Sequence, residues 1–141
     1  MRKINGLDFI LLVDDDEATN YLNQRVIRKA NILTNVHVAH DGKEALDYLT
    51  NGGRNNGTGS VPHAGLIFLD INMPGMNGWE FLEAYKQLPD EQTRRIKILM
   101  LTTSNNPDEE KRAVNIPEVK GFIHKPLTEE KLEKAINVYV F

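Results

Sequence analysis

Four apolar segments of this chain each end on a side chain that can bind a cation or a phosphate group. Asp14 and Asp15 follow the first segment, Asp70 the second, Thr102 the third and Lys125 the fourth. Three carboxylates brought close together repel one another unless a cation lies among them, and oxygen ligands without cysteine suit Mg²⁺ or Mn²⁺. Lysine and a threonine hydroxyl can offset and hydrogen-bond a phosphoryl group. These residue types together favour phosphoryl chemistry supported by a divalent cation.

The segments that precede these residues have the pattern of strands in a parallel sheet. Residues 9–13, 66–69 and 96–101 are almost continuously apolar, as expected of strands covered on both faces. Residues 35–39 alternate and residues 121–124 are few, so both are predicted at sheet edges. Strand-like and helix-like segments alternate, which favours crossover helices between parallel strands. Because parallel strands end at one edge, where ligands bind, the four positions are predicted to converge.

Five helices are predicted, three of them from their first residues: Asp41 with Glu44, Asn77 or Gly78, and Asn106 with Pro107. Apolar residues at helical spacing predict the inward faces. Those faces are Ala18, Leu22, Val26 and Ala30 in the first helix; Phe81, Leu82, Tyr85 and Leu88 in the third; and Leu132, Ala135, Ile136 and Tyr139 in the last.

One stretch interrupts this alternation. Residues 50–63 are rich in glycine and asparagine, and we predict a flexible surface loop there. The stretch lacks the Gly-Lys-Ser/Thr ending of a phosphate-binding loop. Residues 1–141 are predicted to form a single, stand-alone domain with a core over about 7–140, so any output must come from its surface.

The composition excludes several classes of protein. The 141 residues are 40% hydrophobic and 26% charged, with a formal net charge of −3 and no cysteine. No apolar run is long enough to cross a bilayer, and no secretory signal follows the first residues. The absence of cysteine excludes disulfides and thiol catalysis, and the negative charge disfavours direct binding of nucleic acid. We expect a cytoplasmic protein that is not attached to a membrane.

The same residues lie in motifs that resemble the receiver domain of two-component response regulators, a family related to the bacterial chemotaxis receiver. The motifs are Ile10 to Glu17, Leu69 to Gly78, Leu101 to Ser104, and Lys125 with Pro126. The resemblance covers nearly the whole chain. It implies a flavodoxin-like, doubly wound α/β fold whose five parallel strands lie in the order 2-1-3-4-5, with five helices.

By this resemblance, Asp70 is the phosphoacceptor, which takes a phosphoryl group from a histidine kinase or a histidine phosphotransfer protein. Asp15 and Asp70 are expected to bind Mg²⁺ directly, Asn72 through its backbone carbonyl, and Asp14 mainly through a water molecule. Lys125 is expected to pair with the phosphoryl group or with Asp70. No enzyme activity is expected beyond self-phosphorylation from a phosphodonor and autodephosphorylation.

The resemblance also implies a switch. Thr102 is expected to move toward the phosphoryl oxygen while the ring of Phe122 turns inward. The changed surface comprises the helix near Pro107, the 121–124 strand and the last helix, and it would bind an unknown downstream protein or form a homodimer. The residues that border the site are Ile71, Asn72, Thr103, Ser104 and Pro126, and the Lys125-Pro126 bond is expected to be cis.

Two other classes of protein are alternatives to a phosphorylated receiver. A haloacid-dehalogenase-like phosphatase also uses aspartate, threonine, lysine and Mg²⁺, but its Asp-x-Asp-x-Thr/Val motif and its later acidic pair are missing here. A degenerate receiver would act as an unphosphorylated interaction module. Taken singly, Asp14 to Asp16 could also be a helix cap and Asp70 part of an ordinary turn.

Overall fold

The computed structural model describes residues 2–55, 64–103 and 106–140. Strands alternate with helices along most of this length, as the sequence predicts. The strands are β1 (Arg2–Lys3), β2 (Phe9–Val13), β3 (Ile32–Leu33), β4 (Asn35–Ala39), β5 (Ala64–Leu69), β6 (Arg95–Thr102) and β7 (Val119–His124). The helices are α1 (Glu17–Lys29), α2 (Gly42–Asn55), α3 (Gly78–Tyr85), α4 (Asp90–Thr93), α5 (Pro107–Val114) and α6 (Glu129–Ala135), followed by a π-helical turn over Ile136–Val140.

Five of the strands form one parallel sheet in the order β4-β2-β5-β6-β7. Counted among these five, that order is 2-1-3-4-5, so the predicted flavodoxin-like α/β fold is confirmed. β4 and β7 lie at the two edges, and β4 has the alternating burial that its sequence predicts. The register places Val13 beside Leu69 and Thr102 beside His124, which aligns the strand ends that carry the polar residues. A second, two-stranded sheet of β1 and β3 was not predicted.

Two layers of helices cover the large sheet. α1 and α6 pack on one face, where Ile27, Leu132 and Ile136 join the inward residues of the strands. α2, α3 and α5 pack on the other face, which contains Phe81 and Leu82. Phe81, Leu82, Tyr85, Leu132, Ala135 and Ile136 are buried as predicted, while Leu88 and Tyr139 are half-buried.

The predicted inward face of α1 is confirmed for Val26 and Ala30, which are half-buried against the core, but is wrong for Ala18 and Leu22. Leu22 is 54% exposed and Ala18 is exposed, whereas Asn20, Asn23 and Ile27 are buried. The amide of Asn20 donates a hydrogen bond to a backbone carbonyl at the end of β2, and this contact fixes the helix with its asparagines inward. Hydrophobic periodicity cannot identify a helix face held by polar contacts.

The helix count and one loop boundary also differ from the predictions. Six α-helices occur in the described ranges instead of five; the additional one is α4, a single turn that begins after Pro89 with two acidic residues in its first turn. α2 continues to Asn55, so the predicted loop does not begin at residue 50. Glycine lowers helix stability without forbidding the helix, and α2 passes through Gly52 and Gly53. Residues 56–63 of the predicted loop lie outside the described residues.

Among residues 2–55, 64–103 and 106–140, no helix combines the length and the apolar character that a membrane span requires.

Candidate functional site

The three carboxylates predicted to converge do so. Asp14, Asp15 and Asp70 each place a carboxylate oxygen within 4.8 Å of the others. Asp14 and Asp70 are buried, and Asp15 is exposed. Adjacent strand ends explain the closeness, because the backbone N–H of Asp70 donates to the Val13 carbonyl at 2.9 Å. The cluster therefore lies where β2 and β5 end side by side.

Lys125 completes the cluster with a positive charge. Its Nζ lies 2.7 Å from Asp14 Oδ2 and 3.6 Å from Asp70 Oδ1. The residue directly follows β7, and its backbone N–H donates to the Thr102 carbonyl at 2.8 Å, which ties the ends of β6 and β7 together. The Lys125-Pro126 peptide bond is cis, as predicted. One ammonium thus contacts two of the three carboxylates.

Burial and the mixture of charges in the cluster shift the pKa values of Asp70 and Lys125. Burial raises the pKa of Asp70 to about 6; the charge of Lys125 lowers it, while Asp14 and Asp15 raise it further. Burial alone would lower the pKa of Lys125, but the hydrogen bond to Asp14 and the charge of Asp70 raise it above its usual value. Ionisation of Asp70 is therefore less favourable than that of an ordinary aspartate, and a cation beside the carboxylates would favour it.

The donor set fits a hard divalent cation. Three carboxylates offer oxygen ligands, two of them in a buried setting, and they carry more negative charge than the single ammonium beside them. Mg²⁺ and Mn²⁺ prefer oxygen ligands, and Mg²⁺ commonly uses one or two carboxylates with water. Asp14, Asp15 and Asp70 could hold such an ion. The predicted fourth ligand, Asn72, lies in the exposed loop after β5.

The loop after Asp70 is held by close packing against α3. The N–H of Gly78 donates to the Ile71 carbonyl at 2.9 Å. A Cβ at Gly78 would lie 2.7 Å from the Asp70 carbonyl oxygen and 2.9 Å from the Ile71 Cα, so no larger residue fits without movement. Asn77 and Glu80 form a reciprocal capping box at the start of α3, beside a turn in which Gly75 has φ +72°.

The residues predicted to border the acidic cluster differ in their exposure to solvent. Thr103, Asn72 and Pro126 are exposed, but the side chain of Ile71 is only 2% exposed and lies in the core. Ile71 therefore borders the cluster through its backbone. Ser104 lies outside the described residues.

The two predicted switch residues lie on adjacent strands. Thr102 ends β6 and is 1% exposed. Phe122 on β7 is half-buried, packs against the core on the α5 side, and meets the His124 ring edge-on at 5.5 Å between centroids.

Asn20 contacts the backbone of the acidic cluster, and the sequence did not predict this contact. It is buried on α1, and its Nδ2 donates to the Asp14 backbone carbonyl at 2.8 Å. Its spacing from Asn23 and Ile27 is the signal that was available, because residues three and four positions apart share a helix face.

A family model described as the response regulator receiver domain matches residues 10–137. The chain therefore belongs to this family, the receiver domains of two-component systems, and the predicted resemblance is confirmed. Receiver domains are signalling domains, which favours the receiver prediction over the phosphatase alternative.

Relatives and solved structures agree with this assignment. The probable methanogenesis regulatory protein FilR2 of Methanothrix harundinacea is 34% identical over 130 residues, 90% of this chain and 77% of that protein. Response regulator Rcp1 of Synechocystis is 37% identical over 100 residues, 71% of this chain and 65% of that protein. A two-component response regulator from Cytophaga hutchinsonii is 31% identical with a TM-score of 0.79, covering 96% of each chain. The Mn²⁺-bound form of Rcp1 is 30% identical with a TM-score of 0.71, covering 94% of each chain.

Proposed function

We propose that this receiver domain is a phosphorylation-activated switch in which Asp70 accepts a phosphoryl group in a Mg²⁺-dependent step. The observation that carries the proposal is the cluster itself: three carboxylates within 4.8 Å and an ammonium 3.6 Å from Asp70. Burial and the charges of Asp14 and Asp15 raise the pKa of Asp70, and both effects favour a cation beside its carboxylate. A histidine kinase or a histidine phosphotransfer protein is the proposed donor, and a cytoplasmic location is part of the proposal.

In the proposed step, a carboxylate oxygen of Asp70 forms a bond to phosphorus while the bond from phosphorus to the donor's imidazole nitrogen breaks. The nitrogen keeps the bonding electron pair and takes a proton from solvent. Asp14, Asp15 and Asp70 would hold the cation, which supplies charge neutralisation between the carboxylates and the incoming phosphoryl oxygens. Lys125 offsets the remaining negative charge of the product.

The response follows from the change in charge at Asp70. A phosphoryl group adds negative charge and acceptor oxygens, which attract the Thr102 hydroxyl and the Lys125 ammonium. Thr102 ends β6, which lies next to β7. Its movement would therefore change the space available to the half-buried ring of Phe122 on β7. We propose that this shifts an existing equilibrium between an inactive and an active surface.

The surface proposed to change includes a groove of about 380 Å³ between β7 and α6. Phe122, His124, Lys131 and Val138 are among its lining residues, so the groove combines apolar and basic chemistry. A downstream protein or a second copy of the chain would bind the surface formed by α5, β7 and α6. Because Phe122 belongs both to the groove and to the proposed switch, phosphorylation can alter what binds.

Phosphorylation with a small-molecule donor tests the proposal. Purified protein is incubated with acetyl phosphate and Mg²⁺, and intact-mass spectrometry measures the addition of one phosphoryl group. We expect an acid-stable, hydroxylamine-labile adduct that disappears in Asp70→Asn and in EDTA. Asp16→Asn is the matched control, because Asp16 lies beside the cluster and bonds Thr19 instead; it should be phosphorylated normally.

An adduct that persists in Asp70→Asn would disprove the role of Asp70. If wild type shows no adduct and no response to Mg²⁺, the degenerate interaction module is favoured. Trp79 is the single tryptophan of the chain, half-buried and stacked beneath Arg112 at 4.2 Å, so its fluorescence offers an independent measure of Mg²⁺ binding.

A further inference from the structure

Asn20 is a buried polar residue for which the proposed function so far has no role. The residue is 4% exposed and donates its Nδ2 to the Asp14 carbonyl at 2.8 Å. Its Oδ1 is buried without a hydrogen-bond partner in the part of the chain that the structure describes. A buried acceptor left unpaired costs stability. Stability alone therefore does not explain an asparagine at this position.

The Asp14 carbonyl that Asn20 holds belongs to the peptide plane between Asp14 and Asp15. Because a peptide unit is planar, fixing this carbonyl also fixes the direction in which the chain enters Asp15. The Asp15 carboxylate forms no hydrogen bond or ion pair with residues 2–55, 64–103 or 106–140, although one of its oxygens lies within 4.8 Å of those of Asp14 and Asp70. Its position consequently depends on the backbone.

Asp14 itself has other contacts. Its Oδ2 accepts from Lys125 Nζ at 2.7 Å, its Oδ1 accepts from the Asp16 N–H at 2.9 Å, and its own N–H donates to the Ala39 carbonyl at 3.0 Å. Loss of the Asn20 amide would leave these contacts in place. The residue that would lose its alignment is Asp15.

We propose that Asn20 is a positioning residue for the acidic cluster: its amide holds the Asp14 carbonyl so that the Asp15 carboxylate is aimed at the cation site shared with Asp70. This inference rests on the proposed function, since it assumes that the cluster binds Mg²⁺. Residues that orient metal ligands typically affect metal affinity about 10–100-fold. Because the Asp15 carboxylate is held only by its backbone, we expect loss of the Asn20 amide to lower the Mg²⁺ affinity of the cluster by a similar factor.

Asn20→Leu tests the proposal with little change in shape, because leucine has the branched outline of asparagine. This substitution removes the donor and also the unpaired oxygen, so the two effects on stability oppose each other. Asn23→Leu is the matched control: Asn23 is 5% exposed on the same helix and makes no bond to the acidic turn within the described ranges. Isothermal titration with MgCl₂ should show a dissociation constant about tenfold higher for Asn20→Leu and within about twofold of wild type for Asn23→Leu.

A second measurement needs no metal. In EDTA, the backbone amide resonance of Asp15 should shift and broaden in Asn20→Leu and stay unchanged in Asn23→Leu. A folded Asn20→Leu with wild-type Mg²⁺ affinity and an unchanged Asp15 resonance would overturn the inference. If the wild type binds no Mg²⁺, the proposed function fails, and the Asp15 resonance alone decides whether Asn20 positions the turn. Should Asn20→Leu not fold, Asn20→Ala is measured in the same way.

Discussion

α1 and α6 cover the same face of the sheet but present different chemistry to it. α6 buries Leu132 and Ala135, followed by Ile136 at the start of the π-helical turn. α1 buries two asparagines and only one large apolar residue, Ile27, while Tyr21 and Leu22 are more than half exposed. The difference follows from position: α1 begins directly after the acidic turn at the end of β2, and its inward face contacts the backbone of that turn. α6 begins after Lys125 and stabilises the fold by apolar packing.

This contrast suggests that the two helices contribute to different properties. Apolar burial on α6 should determine the free energy of unfolding, because each large buried side chain contributes about 1.5–3 kcal/mol. Polar contacts on α1 should determine the geometry of the acidic cluster. The contrast can be tested by substitutions that affect one property and leave the other unchanged.

The largest expected effect is that of Leu132→Ala. Leu132 is 0% exposed, so truncation removes apolar contacts and leaves a cavity. We expect a loss of about 2–5 kcal/mol in the free energy of unfolding, measured by urea denaturation. The Mg²⁺ affinity of the folded variant should stay within about twofold of wild type. A large loss of Mg²⁺ affinity at full folding would show that α6 also shapes the cluster.

Leu132 also illustrates what could be predicted from the sequence. Apolar patterns along the sequence predict the inward face of α6, the central strands and the edge strands. The rule that parallel strands end at one edge predicts the convergence of Asp14, Asp15, Asp70 and Lys125. Each of these depends on a property that is repeated along the sequence.

The face of α1, the single turn of α4 and the contact of Asn20 with the acidic turn could not be predicted in this way. The rotation of α1 depends on a hydrogen bond between Asn20 and a backbone carbonyl six residues earlier. α4 is too short to have a periodicity.

Asp70→Asn is expected to have the next largest effect, and it tests the acidic cluster that α1 contacts. In the folded wild type the pKa of Asp70 is about 6, above the ordinary value of 3.8. The folded state therefore binds more protons than the unfolded state between these values, and wild-type stability falls as the pH rises through this range. Above pH 6 the whole cost is present, so Asp70→Asn should be more stable than wild type by about 1–2 kcal/mol at pH 7, allowing for solvent screening.

The gain should become much smaller near pH 4, where the Asp70 carboxyl is protonated in the folded state and only about half ionised in the unfolded state. Urea denaturation in EDTA at pH 4 and at pH 7 measures it. Asp41→Asn is the control, because Asp41 caps α2 outside the cluster and asparagine is an equally good cap. Equal stability of Asp70→Asn and wild type at pH 7 would contradict the view that the cluster costs stability.

Gly121→Ala tests how tightly the end of the α6 segment is packed on β7. A Cβ at Gly121 would contact the Tyr139 hydroxyl oxygen and lie 3.0 Å from Leu99 Cδ2. Tyr139 belongs to the π-helical turn after α6. We expect a loss of about 1 kcal/mol, since overpacking exceeds what alanine gains over glycine in a strand.

Tyr139→Phe removes the contacting oxygen and should restore part of the loss when it is combined with Gly121→Ala. Thermal and urea denaturation of the two single variants and the double variant measure the coupling. Strict additivity would mean that the Tyr139 hydroxyl does not limit the space at Gly121.

The smallest expected effect is that of Leu22→Ala, and it tests the rotation of α1. Leu22 is 54% exposed, so its truncation should change the free energy of unfolding by no more than about 0.5 kcal/mol, against the loss expected for Leu132→Ala. Leu22 and Asn20 are separated by about 200° around the helix, so they cannot both face the sheet. A loss above about 1.5 kcal/mol in Leu22→Ala would place Leu22 inward, turn Asn20 away from the Asp14 carbonyl, and remove the contact through which α1 is proposed to aim Asp15.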